Sequence, residues 1–266
     1  MSELSICILR LSAIGDVTHV VPVVRAIQQH LPRAKITWII GKLEARLLGG
    51  LTDIEFIVFD KKGGFSEVRQ LRQRLMGRRF DVLLHMQVAA RANLLSRLVK
   101  APRRIGWDKP RWRDRHGWFI SQSVESIPFQ HQVDGFLEFA RALDVPTGPP
   151  VWNLPVSSED IAWAKQVLGD GPPILMISPC SSHSLRNWRA ERYAEVADFA
   201  ISKLDMRVVL TGGPSELERQ TSQDIESAMS NQVQNLIGKD TITQSMALLK
   251  QAKIVISPDS GPAHVA

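Results

Sequence analysis

Only two cysteines occur in the 266 residues, Cys7 and Cys180. They lie far apart with no zinc-ligand pattern around either, which excludes a disulfide framework and a zinc module and suits a reducing compartment. Long apolar runs are missing too. The stretch from Leu4 to Leu9 is cut at Arg10, too short for a signal-peptide core or a membrane span, so the chain is expected in the cytoplasm. No helix-turn-helix or RNP pattern is found, which argues against a nucleic-acid-binding protein. With 44% hydrophobic and 23% charged residues, disorder is excluded as well, because such a chain buries a real core.

What is present is a net charge of +6, which draws the protein toward something anionic without choosing among nucleic acid, a phosphorylated substrate and a membrane surface. The basic residues concentrate in Lys100, Arg103, Arg104, Lys109, Arg111, Arg113 and Arg115, interleaved with Trp107, Trp112 and Trp118. This segment reads either as a solvated loop with aromatic anchors or as an anion-binding surface.

Short apolar runs rich in β-branched residues alternate with segments of helical period, the pattern of βα units around a parallel sheet. The fold class is α/β. Strands are predicted at Leu4 to Leu9, Lys35 to Ile40, Glu55 to Phe59 and Phe80 to Met86. After the first strand Val17, Val20, Val21, Val24 and Ile27 recur at helical spacing, with Pro22 placed in an early turn. Further helices are expected near Phe65 to Gly77, Ala89 to Val99 and His131 to Leu143. A proline-rich stretch beginning at Asp144 cannot continue a helix. The domains are accordingly residues 1–145, a linker over 146–157, and 158–266. In the second half the alternation restarts, with strands at Ile174 to Ser178, Arg207 to Leu210, Val233 to Leu236 and Lys253 to Ser257. Two Rossmann-like halves result. The second stops where a helix has barely begun, at Gly261 to Ala266, and reads as incomplete, a fragment of a longer protein.

Ligands of open parallel sheets sit outside the carboxyl ends of the strands, and four strand-end loops stand out. In Leu11 to His19, Gly15 permits a tight turn and Asp16 starts the next helix. Asp16 reads as a helix N-cap or, alternatively, as a general base taking a proton from an acceptor hydroxyl. In Ser178 to Trp188, Ser181 and Ser182 offer hydroxyls and Arg186 a fixed positive charge suited to a phosphate, without the glycines and lysine of a P-loop. Thr211 to Glu218 is a glycine turn followed by Glu216 and Glu218, which either stabilise a helix dipole or accept bonds from ribose hydroxyls. In Ser257 to His264, Gly261 lets a ligand approach the backbone and Pro262 suits a first helical turn, so that exposed N–H groups would face a pyrophosphate. A carboxylate in the first half, and donors for an anionic, hydroxylated ligand in the second, are what a sugar transferase needs. No two aspartates lie two residues apart, so the metal-binding Asp-x-Asp is lacking and metal-independent chemistry is predicted.

Ser12-Ala-Ile-Gly-Asp-Val-Thr-His19 resembles the opening motif of the bacterial ADP-heptose:lipopolysaccharide heptosyltransferases, glycosyltransferase family 9. Pro258-Asp-Ser-Gly-Pro-Ala-His264 is similar to that family's late Asp-Ser/Thr-Gly-x-x-His motif, and Ser181-Ser-His-Ser-Leu-Arg-Asn-Trp188 to its donor loop. The resemblance covers essentially the whole chain. It implies a GT-B architecture of two facing Rossmann-like domains with parallel sheets, an N-terminal acceptor domain and a C-terminal donor domain, and inversion at the anomeric carbon. It implies ADP-L-glycero-D-manno-heptose as donor and the Kdo or first heptose of the lipopolysaccharide inner core as acceptor; no cofactor and no metal are expected. Asp16 matches the family's catalytic base. Ser181, Ser182 and Arg186 match the pyrophosphate positions, with Arg186 standing where some members have lysine. Asp259, Ser260, Gly261 and His264 match the late donor motif, and Glu216 or Glu218 the acidic position at the nucleoside. Arg103, Arg104, Arg111 and Arg113 are placed in the acceptor half, facing acidic acceptor sugars or the headgroups of the inner membrane, with peripheral contact at its cytoplasmic face. Members continue beyond the late motif with further βα units. Two rival readings stay open at this point: a family member using another donor or acceptor sugar, and a non-catalytic nucleotide-binding module.

Overall fold

The structure, a computed structural model, describes residues 3–266. The chain forms two compact units, the first ending at Leu154 and the second beginning at Pro155. In the first, β1 (Ser5–Leu9), α1 (Ile14–His30), β2 (Lys35–Gly41), α2 (Lys42–Leu48), β3 (Ile54–Phe59), α3 (Gly64–Leu75), β4 (Val82–His85), α4 (Ala90–Ser96), β5 (Arg103–Gly106), β6 (Gln122–Ser123) and α5 (Gln132–Arg141) follow one another. The sheet order is β3-β2-β1-β4-β5-β6 with every pair parallel. This is the doubly wound order, whose direction reverses between β1 and β4.

Period-two alternation fixes which side chains meet which layer. Cys7 and Leu9 of β1, Ile39 of β2 and Leu83 of β4 join Leu71 and Leu75 of α3 and Leu95 of α4 in one buried cluster. Ile6, Ile8 and Trp38 point to the other face, where α1 packs against α5. Val17, Val20, Val21, Val23, Val24 and Ile27 of α1 are fully buried, each worth about 1.5–3 kcal/mol relative to exposure. That packing tolerates Pro22, which sits in the third turn of α1 and not in an early one as expected. Phe136 and Phe139 of α5 meet the buried Trp107 edge-on at 4.9 and 5.0 Å.

The region 103–123 departs from the sequence reading. It contains two short strands where only a basic loop was expected, because arginines open β5 and the two residues of β6 are polar. A buried network anchors it. The Trp107 N–H donates to His116 Nε2 (3.2 Å), so the His116 proton lies on Nδ1, directed at Asn93 Oδ1 (2.9 Å). His85 Nε2 donates to the same oxygen (2.9 Å), and Asn93 Nδ2 donates to the Asp114 carbonyl (2.9 Å). All three side chains of this network are buried.

The second unit runs α6 (Ser158–Leu168), β7 (Ile174–Ile177), α7 (Ala190–Leu204), β8 (Arg207–Leu210), α8 (Glu216–Ala228), β9 (Gln234–Asn235), α9 (Ile242–Leu249), β10 (Ile254–Ile256) and α10 (Gly261–Val265). Its parallel sheet has the order β10-β7-β8-β9, so the direction reverses between β7 and β10. Tyr193 and Ala197 of α7 and Ile225 of α8 cover one face; Ala164 and Leu168 of α6 and Ala247 and Leu248 of α9 cover the other. Both cysteines are buried free thiols. Among the described residues, no helix is long and apolar enough to cross a membrane.

Asn93 accepts from two imidazoles and donates to the Asp114 carbonyl, so Asn93→Ala removes three hydrogen bonds, two of them buried. We expect roughly 2–4 kcal/mol of destabilisation of the first unit, read by urea unfolding.

Candidate active site

In each sheet the loops at the point of reversal carry the residues singled out from the sequence. In the first unit β1 ends at Leu9 and the chain turns through Arg10 to Ser12. Ala13 is the N-cap of α1, and Asp16 is the third residue of that helix. Of the two readings of Asp16, the N-cap is therefore set aside: its carboxylate reaches back to accept the Ala13 N–H (3.3 Å) from inside the first turn. Asp16 also forms an ion pair with Arg10, through the same Oδ2, and its side chain remains 33% exposed.

Arg10 is the residue the sequence reading passed over, noting only that it ends an apolar run. Its side chain is nearly buried, donates from Nη1 to the Met86 carbonyl (2.6 Å) and lies 5.5 Å from the Phe136 ring. Burial lowers the guanidinium from its ordinary value, and Asp16 opposes that shift. From the loop after β4, Gln87 Oε1 accepts the Leu11 N–H (2.7 Å), fixing the path of the loop after β1. His19, one turn beyond Asp16, is buried edge-on to His131 at 6.1 Å.

Of the four arginines expected at an acceptor, two are engaged within the unit. Arg104 donates to the carbonyls of Phe119 (2.8 Å), Val99 (2.9 Å) and Ser96 (2.9 Å). Arg103 donates to Gln122 Oε1 (2.9 Å) and to the Ala142 carbonyl. Both guanidiniums tie β5 to its neighbours. Arg111 pairs with Asp108 and lies 4.4 Å from the Trp107 ring, and Arg113 is exposed.

In the second unit the loops after β7 and β10 meet. Ser181 is buried, its N–H donating to Asn187 Oδ1 (2.7 Å) and its hydroxyl to the His183 carbonyl (2.9 Å), so it shapes the loop. Ser182 is exposed. Arg186, on a short turn over Ser184–Arg186, lies 3.3 Å from Asp259 Oδ2, and His264 Nε2 lies 3.4 Å from Asp259 Oδ1. Ser260 is the N-cap of α10, its hydroxyl 2.7 Å from that of Ser257, and Gly261 opens the helix.

The two glutamates after β8 separate. Glu218 accepts from the Gly213 N–H (2.6 Å) and the Ser215 hydroxyl (2.6 Å), holding the glycine turn, whereas Glu216 is exposed. Asp240, in the loop after β9, went unnoticed in the sequence, where it sits beside a turn glycine and a capping threonine. Burial pushes its carboxyl up to about 6, the Glu218 charge adding to the rise, and its Oδ2 is buried without a hydrogen-bond partner. The Thr211 hydroxyl, at the end of β8, is buried in the same condition.

Similarity to known proteins decides what these loops belong to. Residues 68–266 match the model of glycosyltransferase family 9 (heptosyltransferase). The chain belongs to that family. It is 39% identical over 262 residues to the lipopolysaccharide core heptosyltransferase OpsX of Haemophilus influenzae, covering 98% of this chain and 75% of that protein. A family 9 glycosyltransferase from Veillonella parvula superposes with a TM-score of 0.87 at 21% identity, over 100% of this chain and 78% of that one. The E. coli heptosyltransferase WaaC, solved with ADP-2-deoxy-2-fluoro heptose, gives 0.79 at 20% identity, over 98% and 85%. The fold of this family 9 enzyme is therefore that of the GT-B heptosyltransferases.

Opposite pH trends are expected in the two units. Burial pushes His116 down to about 4 and His85 well below the ordinary imidazole value, with the His116 charge adding to the latter. Their neutral forms stabilise the first unit, and that contribution declines as pH falls from about 6.5, the unfolded value, through about 4. Asp240, raised, contributes stability that is complete below its unfolded value near 3.9 and lost as pH rises through about 6. Asp240→Asn should therefore stabilise the second unit by of order 1 kcal/mol at pH 7 after allowance for solvent screening, and by nearly nothing at pH 4. Urea unfolding at both pH values checks this; a pH-independent difference contradicts it.

Proposed function

We propose that this family 9 enzyme transfers heptose from ADP-L-glycero-D-manno-heptose to the Kdo or first heptose of a lipopolysaccharide core, inverting the anomeric carbon without a metal ion, with Asp16 as general base. It would act in the cytoplasm, at the face of the inner membrane that presents the acceptor, with the first unit holding the acceptor and the second the donor. The observation that carries this reading is positional. Among the described residues, Asp16 is the carboxylate at the first sheet's reversal point, and cationic and hydroxyl groups suited to a nucleotide sugar flank the reversal point of the second. The 39% identity to OpsX and the donor analogue held by WaaC support the choice of sugar.

In this mechanism the acceptor hydroxyl gives its proton to Asp16 as its oxygen attacks the anomeric carbon. The bond from that carbon to the β-phosphate oxygen breaks, and the electron pair leaves with ADP. Arg10 and Ala13 both engage Oδ2 of Asp16, which leaves Oδ1 for the hydroxyl. Arg186 offsets the charge developing on the leaving diphosphate, a task that needs no metal once a fixed cation is in place. The sequence supports metal independence through its lack of Asp-x-Asp.

Arg186 and Asp259 form an exposed pair, worth only about 0–1 kcal/mol, so the arginine exchanges readily onto a pyrophosphate. Ser182, His264, Ser260 and the Gly261 backbone add donors, and Ser181 keeps the loop in shape. Glu216 is exposed to meet the nucleoside; Glu218 would exchange its Gly213 and Ser215 bonds for ribose hydroxyls.

ADP release from ADP-heptose, measured with and without a Kdo-containing core acceptor, should depend on the acceptor and persist under chelation. Arg186→Ala should weaken donor binding roughly 10–100-fold, the loss of a charge-assisted hydrogen bond, and Ser182→Ala by less. Unchanged donor affinity in both variants would remove the second unit's loops from the donor site.

A further inference from the structure

Gln87, the second residue beyond β4, stands where the first sheet reverses, beside the loop that leads into Asp16. His85 of β4 lies level with Leu9 of β1, which sets Gln87 level with Leu11. The backbone before it is fixed. The Met86 N–H donates to the Leu9 carbonyl (3.1 Å), and the Met86 carbonyl accepts both Arg10 Nη1 (2.6 Å) and Trp107 Nε1 (2.9 Å). Arg10 joins the two sides of the crevice, because its other terminal nitrogen pairs with Asp16. Gln87 is thus next in the chain to the carbonyl that holds the guanidinium of the Asp16 pair.

Its side chain has only one orientation open to it. The Leu11 N–H can only donate, so the carboxamide atom it meets at 2.7 Å is the oxygen, and the NH2 group points away from Leu11. Neither N–H of that group has an acceptor among the described residues, and the half-buried side chain leaves the nitrogen open to solvent. Holding Leu11 requires a single acceptor. Glutamine supplies that and two donors besides, whose rotamer the Leu11 bond has already fixed, so a ligand that accepts from them loses little further side-chain entropy.

We propose that the Gln87 amide donates to an acceptor-sugar hydroxyl next to the one attacked, and so selects which hydroxyl meets Asp16. The proposal rests on the transfer reaction described above. A sugar ring offers several hydroxyls of similar chemistry, and a base alone does not choose among them. A donor on the attacking oxygen would compete for the electron pair that forms the new bond, whereas a donor on the neighbouring oxygen holds the ring and leaves that pair free. An uncharged amide suits a hydroxyl, and it is left unpaired by a ring that binds in another register, which penalises the wrong linkage. Gln87 takes no part in the proton transfer, which stays with Asp16.

Gln87→Glu keeps an oxygen for the Leu11 N–H and removes the donors; Gln87→Met removes both. In acceptor-dependent ADP release, Gln87→Glu should lower kcat/KM for a Kdo-containing core acceptor about ten-fold, the loss of one hydrogen bond, with ADP affinity unchanged. The new carboxylate also adds charge near Asp16, so a cycle with monodeoxy acceptors supplies the deciding readout. An analogue lacking a hydroxyl next to the attacked one should react about ten-fold slower than the parent acceptor with the native chain, and no slower with either variant. Circular dichroism melting confirms that each variant is folded. Equal penalties for every analogue in native and variant chains would overturn the proposal. So would native transfer by Gln87→Glu beside lost transfer by Gln87→Met, which would leave Gln87 as a support for Leu11 alone. A native chain that releases no ADP with a core acceptor present would overturn the transfer reading itself, and this proposal with it.

Discussion

A guanidinium buried at the end of the central strand organises the first unit's site. A charge taken out of water must be paired and hydrogen-bonded, or its desolvation penalty destabilises the fold by several kcal/mol. Arg10 meets that demand with Asp16, the Met86 carbonyl and the Phe136 ring, while its own carbonyl accepts Trp38 Nε1 (3.0 Å). One residue thereby ties together the loop after β1, the loop after β4, the first turn of α1, strand β2 and helix α5. Asp16 is held as the counter-ion of Arg10, so for the proposed role of a base its direction is set by a neighbour that substrate binding does not have to order.

The second unit uses weaker links. Its loops after β7 and β10 are joined through exposed contacts of Asp259 with Arg186 and His264, and its glycine turn is closed by Glu218. These bonds keep the loops in place at little energetic cost to an incoming ligand, because an exposed ion pair is screened by water. A buried anchor at Asp16 and exchangeable contacts in the second unit's loops match the two tasks of the proposed reaction. A general base needs a fixed direction, and a charged ligand needs partners that can change.

Much of this was legible in the amino-acid pattern, and the misses have physical reasons. Strands whose residues are apolar on both faces, such as β1 and β7, announce themselves, and the loops that follow them inherit their positions from topology. β5 and β6 were invisible because a four-residue strand opened by two arginines has no apolar period, and α2 is only seven residues long. Local charge reads as a surface, but Arg103 and Arg104 also reach carbonyls up to 39 residues away in sequence. Asp16 read as a cap because the residue before a helix and its third residue differ only in where the backbone turns. Asp240 could not be found from sequence, since its unusual proton affinity arises from burial beside Glu218, a residue 22 positions earlier.

In the proposed reaction Asp16 abstracts the acceptor proton while the donor is held elsewhere. Single-turnover transfer from ADP-heptose to a Kdo-containing core acceptor, compared between the native chain and Asp16→Asn at saturating donor, tests it most directly. A loss of at least about 100-fold in the transfer step, the usual contribution of a positioned base, is expected, with ADP-heptose affinity unchanged. Transfer at the native rate in a folded Asp16→Asn chain, or a loss confined to donor binding, would contradict it.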